Sequence, residues 1–117
     1  MTEGSGRITQ QTNRRPIPRR RVLLPGLIVY AHGAHTCDCT LRDLTPGGTR
    51  IILTHPIHLP SHFHLINIRD GVAFHARFVW IKGQEIGVSF ESVISLSGNP
   101  ELSAQRLKKL WLAKAAR

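Results

Sequence analysis

The chain has 117 residues, of which 41% are hydrophobic, and its 16 Lys/Arg against 7 Asp/Glu give a formal charge of +9. That length suits one domain, and no apolar run approaches the ~18 residues needed to span a membrane. The polar N-terminus lacks the apolar stretch of a signal peptide, so a secreted, membrane-spanning or wholly disordered protein is disfavoured and a cytoplasmic one expected.

Residues 1–21 carry six arginines (Arg7, Arg14, Arg15, Arg19, Arg20 and Arg21) against Glu3 alone. The first thirteen are rich in Gly, Ser, Thr and Gln and read as a flexible lead. In the segment Arg14–Arg21, Pro16 and Pro18 forbid a regular helix and favour an extended basic arm. From Val22 the pattern becomes β-prone. Val22–Tyr30 is a strand with a kink or bulge expected at Pro25-Gly26. Thr36–Leu44 alternates, placing Cys37, Cys39 and Leu41 on one face, where the cysteines read as buried reduced thiols rather than a disulfide. Thr45-Pro46-Gly47-Gly48 is a turn, Thr49–Thr54 and Phe63–Ile68 are short strands, and Asp70-Gly71 is a tight hairpin turn. Val72–Ile81 puts Val72, Phe74, Ala76, Phe78 and Trp80 on one side, and Glu85–Glu91 is the sixth strand.

Six strands joined by short turns predict a small antiparallel β-barrel, closed so that no sheet edge is left unpaired. Residues 22–100 are electrically neutral, whereas residues 101–117 return to net +4. There Asn99 is a candidate cap, Pro100 suits a first helical turn and Glu101 suits the positive end of the helix dipole. Ala104, Leu107, Leu110 and Trp111 form the apolar stripe of a helix packed on the barrel. The expected order is lead (1–13), barrel with its arm (14–95) and C-terminal helix (96–117).

Two constellations bear on function. Arg15 and Arg19 are two guanidiniums on a proline-stiffened arm, and arginine forks onto phosphate oxygens and onto the O6/N7 edge of guanine. Asp43-Leu-Thr45-Pro-Gly-Gly48 offers a carboxylate acceptor for guanine N–H groups, a hydroxyl, and a glycine that admits close approach. Taken alone, it reads as an Asx/Thr-stabilised turn. Seven histidines (His32, His35, His55, His58, His62, His64 and His75) read as solvated or loop residues, with no metal site expected. No nucleophile elbow, paired carboxylates or nucleic-acid recognition motif points to catalysis or to sequence-specific nucleic-acid binding. Trp80 and Trp111 read as core or helix-packing residues.

Together the motifs change the reading. Arg15-x-x-x-Arg19, then Asp43-x-Thr45-x-x-Gly48, with Arg-Arg-Val-Leu-Leu at 20–24 and Glu-Ile-Gly-Val-Ser-Phe-Glu at 85–91, resemble the PilZ domain family. Those domains are bacterial receptors for the second messenger cyclic di-GMP. The resemblance implies a split β-barrel that holds the dinucleotide between the arm and the face bearing the second motif. It carries ligand roles onto Arg15, Arg19, Asp43, Thr45 and Gly48, with threonine standing where the family usually has serine. Arg14, immediately before the first motif arginine, favours a stacked pair of ligands. The implied protein is a non-catalytic receptor without other cofactor, signalling to a downstream protein partner. Two alternatives stand beside it: a degenerate PilZ-like adaptor that binds no nucleotide, and a small barrel binding nucleic acid through its basic ends.

Overall fold

The computed structural model describes residues 23–116. Six strands follow one another: β1 (Leu24–Tyr30), β2 (His35–Thr45), β3 (Gly48–Leu53), β4 (His62–Asn67), β5 (Val72–Lys82) and β6 (Glu85–Ser95). All neighbours are antiparallel, and the order β1-β2-β3-β6-β5-β4 closes on itself through the β1–β4 pairing. The expected six-stranded barrel is therefore present, and closure removes the edges on which such short strands would otherwise associate. Among the described residues, no helix is long and apolar enough to cross a membrane.

Side-chain alternation sorts the apolar residues into two sets. Leu24, Ile28, Cys37, Cys39, Leu41, Ile51, Phe63, Leu65, Ala76, Ile86 and Val88 fill the barrel interior. Leu27, Val29, Ile66 and Ala73 point outward from β1, β4 and β5, where Leu96 and Leu107 cover them and Leu110 and Trp111 pack alongside. The helix α1 (Gln105–Ala115) thus caps an apolar patch on the outside of the barrel. Lys114 Nζ meets Asp38 Oδ1 at 2.7 Å, and Trp111 Nε1 donates to the Ile68 carbonyl at 2.8 Å, fixing the helix at two further points. Both cysteines are free and buried. Burial, then Cys37 and Asp38 nearby, raises the Cys39 thiol far above its ordinary range, and burial followed by Asp38 raises Cys37.

Four expectations need correction. No irregularity occurs at Pro25-Gly26, because β1 pairs with β2 in unbroken register from Leu24↔Leu41 to Tyr30↔His35. Pro25 faces the β4 side, where its carbonyl accepts from Ile68 N at 3.1 Å and the ladder has already ended, so its missing N–H costs nothing. The last strand runs to Ser95 rather than Glu91. The helix does not start at Pro100: Leu102–Ala104 form a 3-10 turn and α1 begins at Gln105, with no side-chain cap from Ala104. Gln105 Nε2 instead donates to the Pro100 carbonyl at 2.7 Å, so the start is set by docking of Ala104 and Leu107. Finally, Trp80 does not share a face with Phe78. Phe78 pairs with Val88 but Trp80 pairs with Gly87, so the extra residue Val79 bulges and turns Trp80 to the outside.

Candidate functional site

The second motif sits on an irregularity. Arg42 pairs with Arg50 and Thr45 with Gly48, so Asp43 and Leu44 oppose the single residue Thr49, a β-bulge. Leu44 stays buried against the core. Asp43 takes φ +52°, a left-handed conformation that aspartate tolerates better than most residues. The Thr49 hydroxyl donates to the Arg42 carbonyl at 2.6 Å, which satisfies a group the bulge removes from the ladder.

The bulge brings Asp43, Thr45, Gly48, Thr49 and Arg50 round one outward-facing concavity of about 450 Å³. Asp43, Thr45 and Gly48 are thus gathered at one place. Arg50, which sequence reasoning missed, organises them. Its Nε and Nη2 donate to Asp43 Oδ2 at 3.0 and 2.7 Å, and its Nη1 donates to Glu85 Oε1 at 3.2 Å. Arg42 Nη1 lies 3.6 Å from the other Glu85 oxygen. The available signal was cross-strand: Arg42, Arg50 and Glu85 alternate outward on three adjacent strands. Arg50 also borders a second concavity of about 620 Å³ with Trp80, Lys82 and Glu85, so the two hollows share a wall. The Trp80 indole covers Gly87, where any Cβ would lie 2.1 Å from Nε1. At 38% exposure it offers ring surface to solvent.

Two motif residues already serve the fold. Thr45 Oγ1 accepts from the Gly47 and Gly48 N–H groups, both at 3.2 Å, and donates to the Gly48 carbonyl at 3.1 Å. It closes the two-residue turn at Pro46-Gly47. A Cβ on Gly48 would lie 2.2 Å from the Val88 carbonyl oxygen, so glycine is what lets β3 approach β6. Arg14, Arg15 and Arg19 lie outside the described residues. Chain connectivity still limits them, since Arg19 precedes Leu24 by five residues, about 17 Å at full extension. Leu24 pairs with Leu41, two residues from Asp43.

A model of the PilZ domain matches residues 13–103. The chain belongs to the PilZ domain family. The matched span includes both motifs and every strand of the barrel. Among solved structures, the PilZ domain of CeSA from a cellulose-synthesizing bacterium is similar, with a TM-score of 0.51 and 16% identity. That match covers 85% of this chain and 97% of the other, and at such identity it speaks for the fold alone. No curated protein matches significantly.

The histidines are less scattered than expected. His62, His64 and His75 project from β4 and β5 as one cluster, with ring centroids 5.5 Å apart for His62–His75 and 5.3 Å for His64–His75. Glu91 approaches His62 Nε2 at 3.3 Å and His75 Nδ1 at 3.7 Å. Burial, then His75, lowers the His64 pKa. Among the described residues, no three His, Cys, Asp or Glu side chains group so as to hold a metal ion.

Proposed function

We propose that this PilZ domain is a cytoplasmic receptor for cyclic di-GMP. It takes the dinucleotide, as a stacked pair, between Arg14, Arg15 and Arg19 of the arm and the outer face at Asp43, Thr45 and Gly48. The observation that carries the reading is the family match from residue 13, which includes Arg15-x-x-x-Arg19 and reaches the bulge where Asp43 stands beside the entry to β1. Supporting chemistry lies on the same face. Arg50 pins the Asp43 carboxylate and adds a guanidinium, Lys82 adds positive charge, and Trp80 offers a plane on which a base can stack. The arm carries the net positive charge that a bis-phosphate ligand needs, whereas the cations of the barrel are balanced by its acids. Binding then orders the arm over the face, and the new surface is read by a protein partner.

The test is calorimetric titration with cyclic di-GMP against a GTP control. Removing a charge-assisted contact costs about 1.5–3 kcal/mol, so Arg15→Ala and Arg19→Ala should each weaken binding roughly 10- to 100-fold. In a Trp111→Phe background, ligand should change the fluorescence of Trp80. Wild-type affinity no better than that for GTP ends the receptor reading.

One observation favours the alternative, an adaptor that binds no nucleotide: Thr45 and Gly48 have structural roles that would retain them without a ligand. The same titration separates the two.

A further inference from the structure

At the other end of β1 lies a larger cavity, about 660 Å³, within the ordinary range for small-molecule sites. It opens between the 3-10 turn Ala31–Gly33, the outer faces of β4 and β5, and the start of α1. Its walls are apolar: Val29 and Leu107 of the outer cluster are buried there, and Leu102, 88% exposed, stands in the lining without cover. Its polar lining includes His62, His64, His75, Ser103 and Arg106 and contains no carboxylate. Glu91 holds His62 and His75 from outside that lining. Arg106 is the one permanently charged side chain in it, and Nη1 is anchored on the His32 carbonyl. Among the described residues, its Nε and Nη2 meet no acceptor.

We propose that this cavity is a second ligand site, for a small carboxylate with an apolar body. The body lies against Val29, Leu107 and Leu102, and the carboxylate is received by Arg106 with the Ser103 hydroxyl. An anchored guanidinium with donors to spare is pre-organised for a planar anion, and the lining holds no acid to compete. The backbone agrees. Ala31, His32 and Gly33 take φ of 54°, 55° and 88°, and such runs persist only where the surroundings hold them, as at ligand clamps. Arg106 lies against that run, since a Cβ on Gly33 would lie 2.5 Å from its Cδ. The site is independent of the cyclic di-GMP reading because it shares no lining residue with the Asp43 concavity.

The experiment uses the full chain and decanoate as probe, with decanol as the uncharged control, followed by backbone amide shifts. Saturable shifts at Ala31, Gly33, Ser103 and Arg106 are expected, with decanol at least about tenfold weaker. Arg106→Gln should weaken decanoate at least about fivefold. Ser103→Phe, which puts a phenyl ring in the lining and removes the hydroxyl, should abolish it. Absence of saturable shifts with millimolar decanoate overturns the proposal. So does equal binding of decanol, wild-type affinity in a folded Ser103→Phe protein, or shifts confined to the exposed face of α1 around Leu112.

Discussion

Gly48 is where the ligand reading and the folding reading of the motif give different experiments. A methyl group placed there would lie 2.2 Å from the Val88 carbonyl oxygen and 3.3 Å from Ser89 Cα. Both are backbone atoms of the paired strand, so nothing yields by a rotamer change. Contacts under 3.0 Å essentially never occur, so β3 and β6 must part by most of an ångström beside the bulge. Overpacking of this kind costs about 1–3 kcal/mol. Gly48 has no positive φ, so alanine also gains about 0.4–1 kcal/mol from the lower entropy of the unfolded chain. The clash wins: Gly48→Ala should lose roughly 1–2 kcal/mol, or about 5–15 °C in Tm for a domain of this size. Gly47→Ala is the control, because its new Cβ meets only Thr45 Oγ1 at 4.0 Å and should stay within about 0.5 kcal/mol. Urea unfolding followed by tryptophan fluorescence gives both values, with m unchanged if the folded and unfolded ensembles are otherwise alike. A Gly48→Ala protein as stable as wild type, or a Gly47→Ala protein equally impaired, would refute the close-approach argument. Titration of Gly48→Ala well below its melting temperature then isolates any direct contribution to ligand binding.

Other expectations can be checked alongside. Trp111→Phe deletes the Nε1 bond to the Ile68 carbonyl and withdraws the outer indole ring from Gly71, and should cost about 1–3 kcal/mol in denaturant titration. Asp43→Asn releases Arg50 from its two short contacts; because Arg50 is partly solvated, the stability loss should be about 1 kcal/mol or less and should shrink with added salt. The lowered His64 pKa means that the unfolded chain takes up the proton more readily than the folded one. Stability from this site is therefore intact above about pH 6.5 and falls as pH drops below it, and His64→Gln should flatten that part of the pH–stability curve. The raised Cys39 pKa acts at the opposite end. The unfolded thiol ionises above about pH 8.5 while the folded one does not, so stability should fall with rising pH there. Cys39 should accordingly resist iodoacetamide until the barrel unfolds, and rapid alkylation of the native protein would contradict its burial.

The fold was legible to the extent that alternation is a local signal. Cys37, Cys39 and Leu41 share the barrel interior, and Leu107, Leu110 and Trp111 of α1 do pack on the outside of the barrel, with Ala104 of the preceding turn buried. Alternation failed at Trp80, where the register slips by one residue at Val79 and the indole moves outside. Such a bulge is set by how β5 meets β6, which no window of β5 alone contains. Helix-start chemistry failed at Asn99–Glu101 for a similar reason: local capping is worth about 1 kcal/mol, less than docking Ala104 and Leu107 on the barrel. In the candidate site, Asp43, Thr45 and Gly48 were identifiable because turn chemistry and the family motif coincide. Arg50 and Glu85, 35 positions apart, meet only across paired strands.

The +9 charge and its concentration at the two ends belong to the sequence by itself, as do the neutral barrel and the arginine pair of the arm. Charge and composition are properties of covalent structure, and proline fixes its own φ without help from elsewhere. Tertiary structure alone decided what surrounds Asp43, which face Trp80 presents, and that the residues of Ala31–Gly33, β4, β5 and α1 enclose a cavity. Those outcomes depend on strand register and helix docking, where one slipped residue reverses a face and residues far apart in the chain come into contact.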